Sequence, residues 1–188
     1  MKIRAIALVS SMMMCSVIHA DEAMQANVEE GKGVIKAFMT DLKGELQKSM
    51  KKSGPVGAIS TCNTVAPQLA EAHSQMSRWE VGRTSLKIRN QDNTPDAWET
   101  AVLEEFETRK QAGEDPMKLV KAEVVEEKGR KVFRMMKAIP TAEVCTKCHG
   151  AELAEPVAAK LDELYPQDKA RGYQPGDLRG AFTLKKSL

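Results

Sequence analysis

A short run late in the chain, Cys145-Thr146-Lys147-Cys148-His149, places two thiols and an imidazole at a spacing that suits one cofactor. In a Cys-x-x-Cys-His motif the two thiols can add to the two vinyl groups of one porphyrin, and the next residue presents an imidazole to the iron. The motif occurs once in 188 residues. The sequence therefore predicts one covalently attached haem c, bound through Cys145 and Cys148, with His149 as an iron ligand.

Two other interpretations of the same cysteines are a dithiol redox pair and half of a zinc site. The chain has no second Cys/His pair that would complete a zinc site. No strand-helix-strand pattern of the thioredoxin type surrounds the motif either. Haem attachment is the interpretation that uses all three residues.

The first 20 residues are typical of a secretory signal peptide. Lys2 and Arg4 precede an apolar run from Ala5 to Ile18, and Ala20 stands directly before an acidic pair. Cleavage near Ala20 predicts a periplasmic protein, which agrees with the compartment in which bacteria attach haem c. An uncleaved anchor is the alternative, although the run is short for a bilayer span. No later segment has 18 consecutive apolar residues, so no membrane span is expected after cleavage.

The charge balance argues against a nucleic-acid partner. Loss of Lys2 and Arg4 with the signal leaves 26 of the 28 basic residues against 26 acidic ones, so the mature net charge is near zero.

The chain also lacks a recognisable motif of paired carboxylates or of a nucleophile with its base. We therefore expect a protein that is not an enzyme.

Cys62 is the thiol that the predicted haem and signal leave over, because Cys15 would depart with the signal. A single free thiol is unusual in an oxidising compartment. It can be an axial thiolate on the iron, half of an intermolecular disulfide, or an inert buried side chain. His73 and Met76 share its helical stripe and are competent ligands too, and Met135 or Met136 could offer a sulfur from a strand, where only one of the two should point inward.

The elements expected around these residues indicate an α+β fold with an antiparallel sheet. A long amphipathic helix should stop at Ser53-Gly54-Pro55, and a second should be kinked or split at Pro67. A later helix should begin after Thr94 as its cap. The expected elements are helices at 23–52, 59–76, from 95 to about 113, and 156–164, and strands at 79–88, 119–125, 131–139 and 178–184.

Arg83, Lys87 and Arg89 form a basic cluster that could bind the haem propionates by charge-assisted hydrogen bonds. Arg83 and Arg89 are the better candidates, because a guanidinium binds a carboxylate through two parallel bonds. A solvated strand edge is the alternative.

Several separated motifs resemble the single-haem c-type proteins of a widespread bacterial family with a PAS-like fold and a largely unassigned role. The segments that carry the resemblance are Ala58–Pro67, Val81–Lys87, Arg89-Asn90, Asn93–Pro95, Trp98-Glu99, Ala138–Pro140, Cys145–Gly150, Tyr165-Pro166, Asp168, Ala170, Gly172-Tyr173, Gly176-Asp177 and Arg179–Ala181. The resemblance implies axial ligation by His149 and Cys62, which makes His73 a surface or helix-face residue. Together with the signal peptide predicted at 1–20, it divides the chain into that signal, an N-terminal helix at 21–57 and a PAS-like haem domain at 58–188.

The function expected from these features is redox sensing, sensing of CO or NO, or low-potential electron transfer, with a redox or signalling protein partner that the sequence does not identify. A thiolate ligand disfavours reduction of ferric iron, which is why the potential should be low. The alternative is a four-helix-bundle cytochrome of the c′ type with an open gas-binding position on the iron. A bundle would be nearly all helix, whereas the elements above include a sheet.

Overall fold

The structure is a computed structural model that describes the backbone of residues 9–188 and the side chains of residues 21–188. Part of the predicted signal peptide therefore lies outside the described residues. In chain order the elements are α1 (Val9–Ser77), β1 (Glu80–Thr84), α2 (Ala97–Gln111), β2 (Val120–Glu127), β3 (Arg130–Pro140), α3 (Glu143–His149), α4 (Glu155–Leu164) and β4 (Leu178–Ser187). Short 3-10 turns lie at Gln91–Asn93 and Pro116–Lys118.

α1 consists of two helical segments that meet at Gly54. Gly54 has a φ of 64° and a ψ of −167°, a region that glycine alone adopts easily. The predicted end of the first helix at Ser53-Gly54-Pro55 is therefore confirmed. Across this break Thr61 Oγ1 donates to Ser49 Oγ at 2.9 Å. His73 and Asp41, farther from the break on both sides, are also in contact. The two segments therefore run antiparallel as an αα-hairpin, here called the α1 hairpin.

Pro67 neither splits nor ends the second segment, because the backbone of this segment stays helical from Pro55 to Ser77. The expected cap of α2 is also wrong. Asp96 caps this helix in a reciprocal box with Glu99, while Thr94 closes the preceding 3-10 turn through its bond to the Gln91 carbonyl.

The four strands form one antiparallel sheet in the order β1-β4-β3-β2. β2 and β3 are joined by the two-residue turn Lys128-Gly129, whose φ angles of 53° and 75° are those of a type I′ hairpin. β1 instead pairs with β4, so the first and last strands of the chain are neighbours. The α+β fold with an antiparallel sheet is confirmed, and the all-helical bundle expected for a c′-type cytochrome is wrong.

Both faces of the sheet are covered, one by the α1 hairpin and the other by α2. Ile35 and Phe38 of the hairpin pack with Met135 on the first face. Phe106 of α2 packs with Met136 on the second. The two neighbouring methionines are therefore both fully buried, and the expectation that only one of them points into a core is wrong. Within the described part of the chain, no helix is long and apolar enough to cross a membrane.

Candidate functional site

The α1 hairpin, β1 with the loop after it, and α3 enclose a cavity of about 520 Å³. This volume lies in the range of small-molecule and cofactor sites. Six of the residues that the sequence proposed for a cofactor line it, namely Arg83, Arg89, Cys62, Cys145, Cys148 and His149, whereas Lys87 of the basic cluster does not. Its apolar wall comes mainly from the hairpin, through Leu42, Leu46, Met50, Ala58, Ile59, Ala66 and Ala70.

His149 is the last residue of α3, and a hydrogen bond to the Ala170 carbonyl fixes the orientation of its ring. Its Nδ1 lies 2.8 Å from the carbonyl oxygen of Ala170. A carbonyl only accepts, so Nδ1 must carry the proton and Nε2 keeps its lone pair, which accepts from Arg179 Nε at 3.4 Å in this structure. This is one of the two tautomers in which histidine binds metals. Burial and, after it, the cations of Arg179 and Arg89 together lower the pKa of His149 to about 2, so the ring is neutral.

Gly150 ends α3 directly after the histidine. A Cβ at this position would lie 2.5 Å from the carbonyl oxygen of Thr146, so a side chain would crowd the last turn. The Gly150 amide donates to that same carbonyl, and the amide of Tyr173 donates to the carbonyl of His149. The segment 170–173 thus holds the end of the attachment motif.

Cys145, Cys148 and Cys62 are free thiols of intermediate exposure in the described chain. Burial raises the pKa of Cys148; the neighbouring Cys62 and Cys145 raise it too, while Arg89 opposes them. Burial likewise raises the pKa of Cys62, against the cations of Arg83 and Arg89. Cys62, contributed by the second helical segment of the hairpin, is therefore close to the attachment motif although it lies far from it in sequence.

The competing ligands on the stripe of Cys62 do not line the cavity. Met76 is 72% exposed, and His73 is only 6% exposed, against Asp41 and Phe38. Of the two positions expected for His73, the surface is wrong and the helix face is right, because the ring faces the first segment of the hairpin. Met50, which the sequence analysis missed, lines the cavity. Only the fold-back at Gly54 brings Met50 next to this site.

Arg83 and Arg89 have different surroundings. Among residues 21–188 the guanidinium of Arg83 forms no ion pair or hydrogen bond, and it lies 5.9 Å from the centre of the Phe38 ring. Burial lowers the pKa of Arg83, against the opposing effects of Cys62 and Tyr165. Arg89 instead donates to Asp168 and to the carbonyl oxygens of Cys148 and Ala170. Arg83 is thus free to bind an anion in the cavity, whereas most donors of Arg89 are already used.

Arg179 is a cavity cation that the sequence analysis missed. Its Nε lies 3.4 Å from Nε2 of His149, and its guanidinium lies 5.4 Å from the centre of the Tyr173 ring. Burial lowers the pKa of Arg179, and the nearby Arg89 and Arg83 add to this. The sequence signal was the Arg179-Gly180 pair at the start of the last strand. This pair reaches the cavity only because β4 pairs with β1.

Comparison with known proteins agrees with this fold. The model of the Tll0287-like family (Tll0287) matches residues 16–187. Among solved structures, the chain is similar to the crystal structure of the cyanobacterial heme-protein Tll0287, with a TM-score of 0.63 and 20% identity over 85% of this chain and 96% of that one. At this identity the likeness concerns the fold alone. No curated protein matches the chain. Because the family match spans nearly the whole sequence, this chain belongs to the Tll0287-like family.

Proposed function

We propose that the chain binds one haem c covalently through Cys145 and Cys148, with His149 and Cys62 as axial ligands of the iron. The observation that carries this proposal is the hydrogen bond from His149 Nδ1 to the Ala170 carbonyl. This bond leaves Nε2 unprotonated, with a lone pair that can bind a metal, in a cavity lined by both attachment cysteines. The heme-protein with a similar fold supports the same cofactor class.

The residues of the cavity fit a porphyrin. Such a ring is flat and largely apolar and carries two carboxylates at one edge. The apolar side chains of the α1 hairpin would cover its faces, and the guanidinium of Arg83, which has no ion pair within residues 21–188, suits a carboxylate. Arg179, which reaches the same cavity, is the second candidate for a carboxylate. Arg89 would contribute by holding the attachment motif.

The two proposed axial ligands differ in how firmly the protein holds them. α3, the Ala170 carbonyl and the contact with segment 170–173 fix the ring of His149. The Cys62 thiol has no hydrogen bond among residues 21–188, and its segment joins the rest of α1 through Gly54. When bound, a haem would supply an iron that alternates between the ferric and ferrous states. We propose that Cys62 is the displaceable ligand and that the protein serves redox sensing, CO or NO sensing, or low-potential electron transfer.

The proposed location is the periplasm, after cleavage near Ala20. It is supported by the charged, apolar and small-residue pattern of the first 20 residues and by the requirement of haem c attachment for an exported chain. Its protein partner would be a redox or signalling protein of that compartment.

Expression of the full chain in cells that mature c-type cytochromes tests the proposal. The periplasmic protein should begin near Asp21 and be heavier than the bare polypeptide by one haem, and the pigment should survive denaturation. The double variant C145A/C148A should lose this mass, whereas C62S, the matched control thiol, should keep it. A wild-type chain without added mass, in cells that mature another c-type protein normally, would refute the proposal.

A further inference from the structure

Asp168 is a buried carboxylate behind the attachment motif, outside the cavity lining. Its side chain is 1% exposed. Oδ1 accepts from Arg89 Nε at 3.1 Å and from the Ala170 amide at 2.8 Å, and Oδ2 accepts from Arg171 Nε at 2.9 Å. Burial raises the pKa of Asp168, but these hydrogen bonds outweigh it and hold the pKa below its ordinary value. The group is therefore a buried, compensated anion.

Arg89 connects this anion to the two segments that hold the proposed histidine ligand. Its Nη2 donates to the carbonyl of Cys148 at 2.6 Å and to the carbonyl of Ala170 at 3.1 Å. The Cys148 carbonyl belongs to the last turn of α3, where carbonyls lack a partner within the helix. The Ala170 carbonyl is the same one that accepts from His149 Nδ1. One guanidinium thus spans the helix and the loop that together hold the imidazole.

The sharing of the Ala170 carbonyl has an electronic consequence. Its oxygen has two lone pairs, and the cation of Arg89 competes with the imidazole N–H for its electron density. The strength of the bond to Nδ1 determines how well the imidazole donates through Nε2. The carboxylate that orients and neutralises Arg89 therefore influences the ring without touching it.

We propose that Asp168 is a positioning residue for the His149 imidazole and acts through Arg89 and the Ala170 carbonyl. This inference rests on the proposed function, because it concerns the ligand of a haem. It adds a specific claim: neutralising Asp168 changes the orientation of the ligand and the potential of the iron, with no contact between Asp168 and the haem cavity.

The experiment compares three substitutions in the haem-loaded full chain. In D168N the charge of Arg89 is left uncompensated beside the ligand, so the midpoint potential should rise and the ferric EPR g values should shift. R89K keeps the positive charge but cannot make the three bonds of the guanidinium, so its g values should shift as well. R171Q removes the other, more exposed partner of Asp168 and should match the wild type. D168N and R89K that both match R171Q in potential and g values would overturn the inference.

A measurement on the unsubstituted chain applies even if these variants fail to mature. In ¹⁵N NMR of the haem-free protein, His149 should be the tautomer with a slowly exchanging proton on Nδ1. The Nε2-protonated tautomer, or rapid exchange at Nδ1, would overturn the positioning inference. A wild-type chain that acquires no covalent haem would instead overturn the proposed function, so the two failures are distinguishable.

Discussion

His73 Nε2 lies 3.0 Å from Oδ2 of Asp41, although 32 residues separate them along the chain. The ring of His73 also packs against Phe38, with 5.6 Å between the ring centres. The contact joins the two segments of the α1 hairpin on the side away from Gly54. Because Cys62 lies between Gly54 and His73, this pair helps to hold the second segment, and with it the thiol, at the cavity.

Replacing His73 with Ala should lower the free energy of unfolding by about 2–3 kcal/mol, because it removes a hydrogen bond and leaves a hole beside Phe38. Urea denaturation followed by circular dichroism measures the change. M76A is the matched control on the same segment, since its exposed side chain should contribute within about 0.5 kcal/mol. Equal stability of the two variants would contradict the role of the hairpin contact.

Replacing Cys62 with Ser should remove the thiolate signature from the ferric optical and EPR spectra and raise the midpoint potential, because a strong anionic donor to ferric iron is lost. M50L is the control, since Met50 supplies another sulfur to the same cavity and should leave the spectra unchanged. An unchanged low-spin spectrum in C62S would rule out thiolate ligation. A change in M50L instead would move the ligand to the first segment.

The guanidinium groups of Arg83 and Arg179 should prefer a haem with free carboxylates. In the C145A/C148A background, where binding is reversible, R83Q should weaken haem binding about tenfold, as expected for one lost charge-assisted hydrogen bond. It should have no effect on the dimethyl ester of haem, which lacks the charges. R179Q tests the second cation in the same way, and R130Q at the exposed start of β3 is the control. Equal losses for haem and its ester would contradict carboxylate binding.

Replacing Gly180 with Ala should destabilise the protein by about 2 kcal/mol or more. Gly180 has a φ of 152°, and an added Cβ would overlap the carbonyl oxygen of Thr84 and contact Ser85. Since Gly180 follows Arg179 and lines the cavity, haem loading should fall as well. G33A, at a helical position with open space around the new methyl group, should instead gain up to about 1 kcal/mol. Chemical denaturation compares both variants with the wild type.

The lowered pKa of Asp96 implies that the protein loses stability in acid. Burial opposes ionisation, but hydrogen bonds from Arg134, the Glu99 amide and Lys185 lower the pKa of Asp96 from 3.8 to about 2. A carboxyl group with a depressed pKa in the folded state stabilises the protein above the unfolded pKa, and this contribution disappears as the pH falls from about 4 to 2. Because the side chain is more than a third exposed, we expect about 1 kcal/mol.

The variant D96N tests this dependence, since Asn is also a good helix cap and keeps the local turn. The slope of unfolding free energy against pH between 2 and 5 should be shallower in D96N than in the wild type. Identical slopes would show that other groups cause the acid loss.

The features that sequence predicted correctly are local ones. The break at Gly54 beside Pro55 is an example, because the left-handed φ that interrupts the helix is a property of that glycine itself. The features it missed depend on contacts between distant segments. The burial of His73 needs the hairpin to fold back, and the burial of both Met135 and Met136 needs helices on both sheet faces.

The same distinction holds within the candidate site. The spacing of Cys145, Cys148 and His149 is a local pattern, so the motif was visible in the sequence. Arg89 looked like a free cation, and only its contacts to Asp168, Cys148 and Ala170 make it a support of the attachment helix. Arg179 reaches the cavity because β4 lies between β1 and β3, which no local pattern indicates.

The pairing of β1 with β4 is here called the seam of the sheet. Glu80 pairs with Lys185 and Thr84 with Ala181, so the two ends of the sheet-forming chain meet there. Arg83 and Thr84 on one side of the seam, and Gly180 and Thr183 on the other, also line the cavity. The pairing that completes the sheet therefore also completes the lining of the cavity, so a substitution that weakens the contact between β1 and β4 should disturb the cavity as well.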